Sequence, residues 1–358
     1  MRALPSIIGF AGLSAAACLS FAGPASASPS HADGAVFVQT QNSAGNRIVA
    51  YDRNADGGLT PAGSTATGGN GATLTGAVVD KTASQGALVA DRRHRELYAV
   101  NAGSNTVSVL RVHGDDLKLR QVIDSGGAFP VSVTVHDDIV YVLNARDGGS
   151  IQGYLNIGGK LHKVDAWHRT LGLDASATPE FIVTTKANTN AILSFGVGRF
   201  GDLSATPTVR TEPGAVPFAI SYDTSGHLVV ADAGINAVST YSIGADSTLT
   251  PLSVTPTGQA ATCWVTSSGD LLIASNAGSG TVTALKASND GHTTILADTA
   301  VDKGTVDAAF SPNGQALYVQ GGATGTVSAF AVSPNGGLTA TGVVTVPGAV
   351  AGEGIVVY

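Results

Sequence analysis

The stretch LYAVNAGSNTVSVL at residues 97–110 contains the pattern that decides the fold. A short apolar strand runs into a turn of Asn, Ala, Gly and Ser, and a second strand follows at once. Residues 272–285, LIASNAGSGTVTAL, repeat the arrangement. Such turn residues tolerate the positive φ values that tight hairpins require. The stretch therefore predicts an antiparallel hairpin that recurs along the chain.

The first strand of this hairpin recurs seven times, with copies that begin at Val36, Leu97, Val140, Ile182, Leu228, Leu272 and Leu317. A leucine after a second hairpin turn stands at 117, 161, 203 and 249, a spacing of 44, 42 and 46 residues. A period of about 40–50 residues with four short strands per repeat is typical of β-propellers. No amphipathic helix pattern follows the N-terminal region. We therefore predict an all-β, seven-bladed β-propeller.

The N- and C-terminal strands are expected to share one blade. The copy at Val36 lacks a strand ahead of it, and residues 353–358 have no blade after them. Pairing the two ends closes the ring and removes two open sheet edges. The fourth blade is predicted to be irregular, because residues 171–181 leave room for a loop but hardly for a hairpin strand. A six-bladed ring is the alternative.

Residues 1–27 are predicted to be a secretory signal peptide, and residues 28–358 a single propeller domain. Arg2 precedes an apolar run over residues 7–22, and Ala-Ser-Ala at 25–27 matches the small-x-small cleavage pattern. The run is too short and too rich in Gly and Ala for a good membrane-spanning helix. We expect a secreted, extracellular protein without membrane insertion after cleavage. A retained anchor and a lipoprotein site at Cys18 are the alternatives.

The composition excludes several classes of function. The net charge is −7 and 13% of residues are charged, which disfavours nucleic acid as a partner because such binding depends on neutralising phosphates. Cleavage of the signal peptide leaves Cys263 as the remaining cysteine, so no internal disulfide or thiolate metal site is expected. The eight histidines show no metal-ligand spacing. We predict neither a metal nor a cofactor.

The repeats resemble those of a known family. Residues 97–101 (LYAVN) followed by TVSV at 106–109, and VYVLN at 140–144, resemble YVTN β-propeller repeats. The Asp-Gly-x-Leu-Thr hairpins and the Ser-Pro-Asn-Gly turn are similar to those of the lactonase-type, 6-phosphogluconolactonase-like seven-bladed propellers. The resemblance implies a secreted bacterial member of that family that opens or closes a lactone ring in a polar central pocket. Members often carry Pro-His before an inner strand, whereas residues 129–132 and 216–219 contain no histidine.

Candidate site residues lie on the loops at one face of the predicted ring. Glu353 and Asp307 enter the inner strands of ring-adjacent blades, and a carboxyl pair in one site can supply a catalytic base. Arg146 or Lys186 could stabilise an oxyanion. Trp264 could form a stacking floor for a sugar ring, or it could be a core side chain. The predicted ligand-binding residues are Gln85, Arg146, Glu180, Lys186 and Trp264, and the predicted catalytic residues are Glu353 and Asp307.

Two main functions remain open at this point, and structural maintenance of a cell-surface complex is a third option. The first is a binding propeller that engages a small molecule, a glycan or a protein partner at the channel mouth without catalysis. The alternative is a hydrolase that opens a sugar-derived lactone with the carboxyl pair. The missing histidines favour binding, and the resemblance along the whole chain favours hydrolysis. For Glu353 and Asp307 the non-catalytic interpretation is a solvated side chain and a turn cap.

Overall fold

The structure is a computed structural model that describes residues 34–172, 175–177, 182–185 and 189–358. Side chains are described for all of these residues except 175–177 and 182–185. The predicted signal peptide lies outside the described residues. Within them, no helix has the length and hydrophobicity that crossing a bilayer requires.

Every element in the described part of the chain is a strand, and the strands form antiparallel four-stranded sheets in chain order. The strands are β1(Ala35–Gln39), β2(Arg47–Arg53), β3(Leu59–Ala66), β4(Leu88–Asp91), β5(Glu96–Asn101), β6(Thr106–His113), β7(Asp116–Asp124), β8(Pro130–His136), β9(Ile139–Asn144), β10(Ser150–Asn156), β11(Leu161–Thr170), β12(Ala175–Ala177), β13(Ile182–Thr185), β14(Ala191–Ser194), β15(Thr208–Thr211), β16(Pro217–Tyr222), β17(Leu228–Asp232), β18(Ala237–Ile243), β19(Leu249–Pro256), β20(Thr262–Ser268), β21(Leu271–Asn276), β22(Thr281–Ala287), β23(Thr293–Ala300), β24(Thr305–Phe310), β25(Ala316–Gly321), β26(Thr326–Val332), β27(Leu338–Thr345) and β28(Ile355–Val357).

The sheets are arranged as a β-propeller. Their orders are β28-β1-β2-β3, β4 to β7, β8 to β11, β12 to β15, β16 to β19, β20 to β23 and β24 to β27. The first strands of successive sheets contact one another, from β28 through β4, β8, β12, β16, β20 and β24 back to β28. These first strands therefore surround a central channel, and the fourth strands form the periphery.

The two chain ends lie in one sheet, as the sequence predicts. Strand β28 pairs antiparallel with β1, and Val36, Phe37 and Val38 lie opposite Val357, Val356 and Ile355. The backbone nitrogen of Tyr358 adds a hydrogen bond of 2.7 Å to the carbonyl of Ala35. This pairing confirms the predicted closure.

The sheet β12–β15 differs from the sheets whose side chains are all described. The strands β12 to β15 contain three or four residues each, and the register shifts between Ala175 and Ala177. This sheet contains the repeat that the sequence marks as irregular. Its first strand is present at Ala175–Ala177, so the described sheet has four strands.

The hydrophobic core lies between neighbouring sheets, because each sheet is apolar on both faces near the axis. The second strands whose side chains are described are buried along nearly their whole length, whereas β3, β7 and β23 on the periphery expose alternate residues or more. Tyrosines connect adjacent sheets at their outer ends. Tyr318 Oη donates to the carbonyl of Gly57 at 3.0 Å, and Tyr141 Oη donates to the carbonyl of Gly201. Buried tyrosines satisfy the hydroxyl in this way while the ring fills the core.

Candidate functional site: a buried carboxyl pair beneath a channel plug

The channel mouth is covered by the connection between β3 and β4. We call residues 67–87 the plug segment. Two other connections that lead into first strands, residues 257–261 and 301–304, are five and four residues long. The plug segment folds back on itself where the Leu74 amide donates to the Lys81 carbonyl at 2.7 Å. Its length allows it to reach sheets well beyond its own neighbours.

The plug segment spans the channel, since two adjacent residues contact opposite sides of the ring. Ser84 Oγ donates to the carbonyl of Val131 on β8 at 2.9 Å. Gln85 Nε2 donates to the carbonyl of Val265 on β20 at 2.9 Å. Leu74 packs in the core around β8 and β9, and Ala83 packs against that core and against the core around β20. The segment therefore closes the end of the channel at which the first strands begin.

Glu353 is fully buried and holds the plug segment. Its Oε1 accepts the backbone N–H of Gly86 at 2.9 Å and that of Ala87 at 3.4 Å. Its Oε2 accepts the hydroxyls of Thr82 at 3.5 Å and Ser84 at 3.4 Å. All four donors belong to the plug segment, so the carboxyl group bridges the C-terminal loop and the cover of the channel.

The predicted pair of carboxyl groups is present, because the Glu353 side chain is hydrogen-bonded to Asp307. Asp307 also accepts the backbone N–H of Ala308 at 2.9 Å and that of Ile355 at 3.4 Å. Burial raises the pKa of Asp307 to about 6. Burial, followed by the negative charges of Asp307 and Asp80, raises the pKa of Glu353 well above its usual range. Burial and the neighbouring charges thus favour the protonated form of Glu353, and the shared hydrogen bond favours Asp307 as its acceptor.

Asp80 is a third buried carboxyl group, which sequence reasoning missed. It accepts the Thr82 hydroxyl at 3.2 Å and the Ala83 backbone N–H within the plug segment. Its charge adds to burial in raising the pKa of Cys263 to about 12, so this thiol is not a nucleophile at neutral pH. No group of three or more His, Cys, Asp or Glu side chains in the described ranges is placed to hold a metal ion.

A signal for the plug segment is present in the repeat spacing. The leucines that follow the outer hairpin turn stand 42–46 residues apart from 117 to 249, whereas Leu59 and Leu117 are separated by 58 residues. The excess of about 14 residues falls between β3 and β4. The connection from β3 to β4 starts at the periphery of the ring and ends at the channel. An insertion there therefore adds residues near the channel mouth, and the structure places the plug segment at this position.

Trp264 and Gln85 also contact the plug segment or belong to it. Trp264 is 2% exposed, its Nε1 donates to the Ser84 carbonyl at 2.7 Å, and its ring meets Phe218 edge-on at 5.0 Å. The stacking floor that the sequence suggests is therefore not open to a ligand in this structure, and Trp264 is the core side chain of the alternative interpretation. The side-chain amide nitrogen of Gln85 donates to the Val265 carbonyl on β20.

Arg146 lies on the outer side of the plug segment, away from the carboxyl pair. Its guanidinium group stacks on Phe129 at 5.6 Å from the ring centre, and Nη2 donates to Thr75 Oγ1 at 3.1 Å. It is therefore not brought together with Glu353 and Asp307. The predicted ligand-binding residues Glu180 and Lys186 lie outside the described residues.

The asparagines that end several second strands have structural roles. Asn101 Nδ2 donates to Ser108 Oγ at 2.8 Å, and Asn276 Nδ2 donates to Thr283 Oγ1 at 2.9 Å. Both side chains are fully buried. They fix the turn that follows and the start of the third strand.

Comparison with known proteins supports the fold. No protein-family profile matches the chain, and no curated protein matches it in sequence. A solved structure of a putative 6-phosphogluconolactonase from Bacteroides uniformis is similar, with a TM-score of 0.71 at 17% identity over 91% of this chain and 99% of that chain. A putative 6-phosphogluconolactonase from Bacteroides fragilis gives 0.68 at 17% identity over 92% and 99%.

The periplasmic gluconolactonase PpgL from Pseudomonas aeruginosa is also similar, with a TM-score of 0.65 at 15% identity over 90% of this chain and 98% of that chain. The chain is thus an all-β propeller with the architecture of these lactonase-like proteins. At this level of identity the likeness concerns the fold, and activity must be argued from the site.

Proposed function

We propose that this chain is a secreted, lactonase-like, seven-bladed propeller that binds a small molecule or a glycan at the channel mouth and does not hydrolyse it. In this proposal β12–β15 is the irregular fourth of seven blades, and residues 1–27 are the leader that export removes. The plug segment forms the floor of the binding surface, and Arg146 is a cation beside it.

The burial of Glu353 carries the proposal. A general base must come within hydrogen-bonding reach of the proton that it removes. The Glu353 oxygens instead contact the backbone of Gly86 and Ala87 and the hydroxyls of Thr82 and Ser84. Burial also raises the pKa of Glu353, which favours the protonated form, and a protonated carboxyl group cannot act as a base.

Hydrolysis of a lactone is the second candidate, and one observation favours it. Two hydrogen-bonded carboxyl groups with separated pKa values are the arrangement in which one group acts as acid and the other as base. In that case the plug segment must first move away from Glu353, so that Asp307 can activate a water molecule. The two candidates therefore differ in whether the carboxyl pair ever contacts substrate.

Assays of D-glucono-1,5-lactone and γ-butyrolactone hydrolysis test the proposal. We expect the wild type, Glu353→Gln and Asp307→Asn to leave the uncatalysed rate unchanged, because the pair is structural. Glu353→Gln keeps the shape of the side chain and serves as the matched control for folding. Hydrolysis by the wild type that falls by about a hundredfold or more in a folded Asp307→Asn protein would establish the second candidate, since a general base contributes about 10²–10⁴-fold.

Binding is tested separately by titrating the same lactones and short oligosaccharides into the wild type and Arg146→Gln. We expect at least one compound to bind, with an affinity that the substitution lowers severalfold because the cation at the mouth is lost. The absence of binding by every compound, or affinities that Arg146→Gln leaves unchanged, counts against a ligand at this surface.

A further inference from the structure

A separate cavity opens at the opposite end of the channel. It has a volume of about 390 Å³ and is lined by the C-terminal ends of the first strands β20 and β24, by the whole of β28 and by most of β4. These four strands are consecutive in the ring. A volume of this size lies within the range of about 300–1,000 Å³ that small-molecule sites occupy. The plug segment closes the other end, so this cavity is reached from the face away from Glu353.

The lining of the cavity is polar. Thr266, Ser267 and Ser268 at the end of β20 are partly exposed, and the Ser267 hydroxyl also lies 2.8 Å from Ser221 Oγ. Each first strand pairs with a neighbour in its sheet along one edge, so the edge towards the channel presents backbone N–H and C=O groups. Hydroxyls and backbone groups of this kind hydrogen-bond a ligand that carries several hydroxyl groups.

Arg92 supplies the charge. It is the one charged residue among the described residues that line the cavity, in a chain whose net charge is −7. Its Nη2 donates to the carbonyl of Val357, and its guanidinium group lies 5.9 Å from the centre of the Tyr358 ring. Anchored by one of its five N–H donors, the group keeps further donors for an anion, and a guanidinium group binds carboxylates in a fork geometry.

The geometry points to a second ligand site here, for a small polyhydroxylated carboxylate. The Arg92 guanidinium binds the carboxylate, and the hydroxyls of β20 and the strand edges bind the hydroxyl groups. Phe310 provides an apolar surface for the carbon skeleton. This site goes beyond the proposed function, because it lies at the other end of the channel and uses none of the same residues.

Titration calorimetry with three ring-matched probes tests the site. Quinate has a carboxylate and hydroxyls, myo-inositol has hydroxyls without the charge, and cyclohexanecarboxylate has the charge without hydroxyls. We expect the wild type to bind quinate at least about tenfold more tightly than either of the others, a difference of about 1.4 kcal/mol. Equal affinity for quinate and myo-inositol, or no binding of quinate at about 10 mM, overturns the assignment.

Variants locate the binding. Arg92→Gln should lower quinate affinity at least about tenfold and remove the preference over myo-inositol, and Arg92→Lys should recover part of it. Arg93→Gln is the matched control, since Arg93 pairs at the surface with Asp137 at 2.6 Å. Thr266→Val, which keeps the side-chain volume, should weaken quinate and myo-inositol alike. Quinate affinity unchanged in both Arg92→Gln and Thr266→Val overturns the proposal. Glu353→Gln should leave quinate affinity unchanged, which separates this site from the channel mouth.

Discussion

Replacing Glu353 by alanine is expected to lower the free energy of unfolding by about 3–5 kcal/mol, whereas replacing it by glutamine should cost less than about 1 kcal/mol. Alanine leaves the backbone N–H groups of Gly86, which is partly buried, and of Ala87, which is buried, without their acceptor and opens a cavity beneath the plug segment. Buried donors that lose their partner each cost about 1–3 kcal/mol.

Glutamine can reproduce the contacts of the protonated acid. Its carbonyl oxygen accepts from Gly86 and Ala87, and its amide donates to Asp307. The hydroxyls of Thr82 and Ser84 have other acceptors, at Asp80 and at the Val131 carbonyl. Urea denaturation followed by circular dichroism measures the difference, with Asp165→Ala as a control because the Asp165 side chain is 92% exposed. Equal losses of unfolding free energy in Glu353→Ala and Glu353→Gln would show that Glu353 does not donate a proton to Asp307.

Stability is expected to fall as pH rises from about 4 to 8, and Asp232→Asn should remove part of that fall. Asp232 is buried, and burial raises its pKa to about 7 from an ordinary value of 3.8. Burial likewise raises the pKa of Asp307, to about 6. The folded state thus holds protons that the unfolded state has released, so each group stabilises most below its unfolded pKa. That stability is lost as pH passes through the folded pKa.

The repeat explains why asparagine should replace Asp232 well. Asn101 and Asn276 each donate to a hydroxyl seven residues later, and Asp232 accepts the hydroxyl of Ser239, also seven residues later. Asp232→Asn should raise the unfolding free energy by on the order of 2–4 kcal/mol at pH 8 and by only about 1–2 kcal/mol at pH 5, because the loss begins above the unfolded pKa of 3.8. Thermal melts between pH 5 and 8.5 measure it, with Asp165→Asn as the control. An equal gain at both pH values would assign the effect to something other than the charge.

Much of the fold could be predicted from the sequence, because each repeat contains the same hairpin pattern, with turn residues between short strands of alternating character. The closure between Val36–Val38 and Ile355–Val357 followed from two incomplete repeats at the chain ends. The irregular sheet at β12–β15 was expected from residues 171–181, which lack the pattern. These features depend on neighbours in sequence or on counting repeats.

The site was harder to predict, because it depends on a segment outside the repeat. Glu353 and Asp307 were correctly expected to lie together, since both enter inner strands of ring-adjacent sheets. Their solvent access was not predictable, because the plug segment that buries them comes from a distant part of the chain. The same segment buries Trp264 and brings in Asp80. The cavity beside Arg92 likewise depends on four strands, β4, β20, β24 and β28, that are far apart in the sequence.

Amide hydrogen exchange over residues 80–87, compared between the wild type and Glu353→Ala, tests whether the Glu353 carboxyl group holds the plug segment in place. We expect the wild-type amides of Gly86 and Ala87 to exchange as slowly as those of the second strands. In Glu353→Ala they should exchange at least about a hundredfold faster, while the second strands far from the plug keep their protection. Fast exchange in the wild type, or slow exchange that survives the alanine substitution, would contradict this expectation.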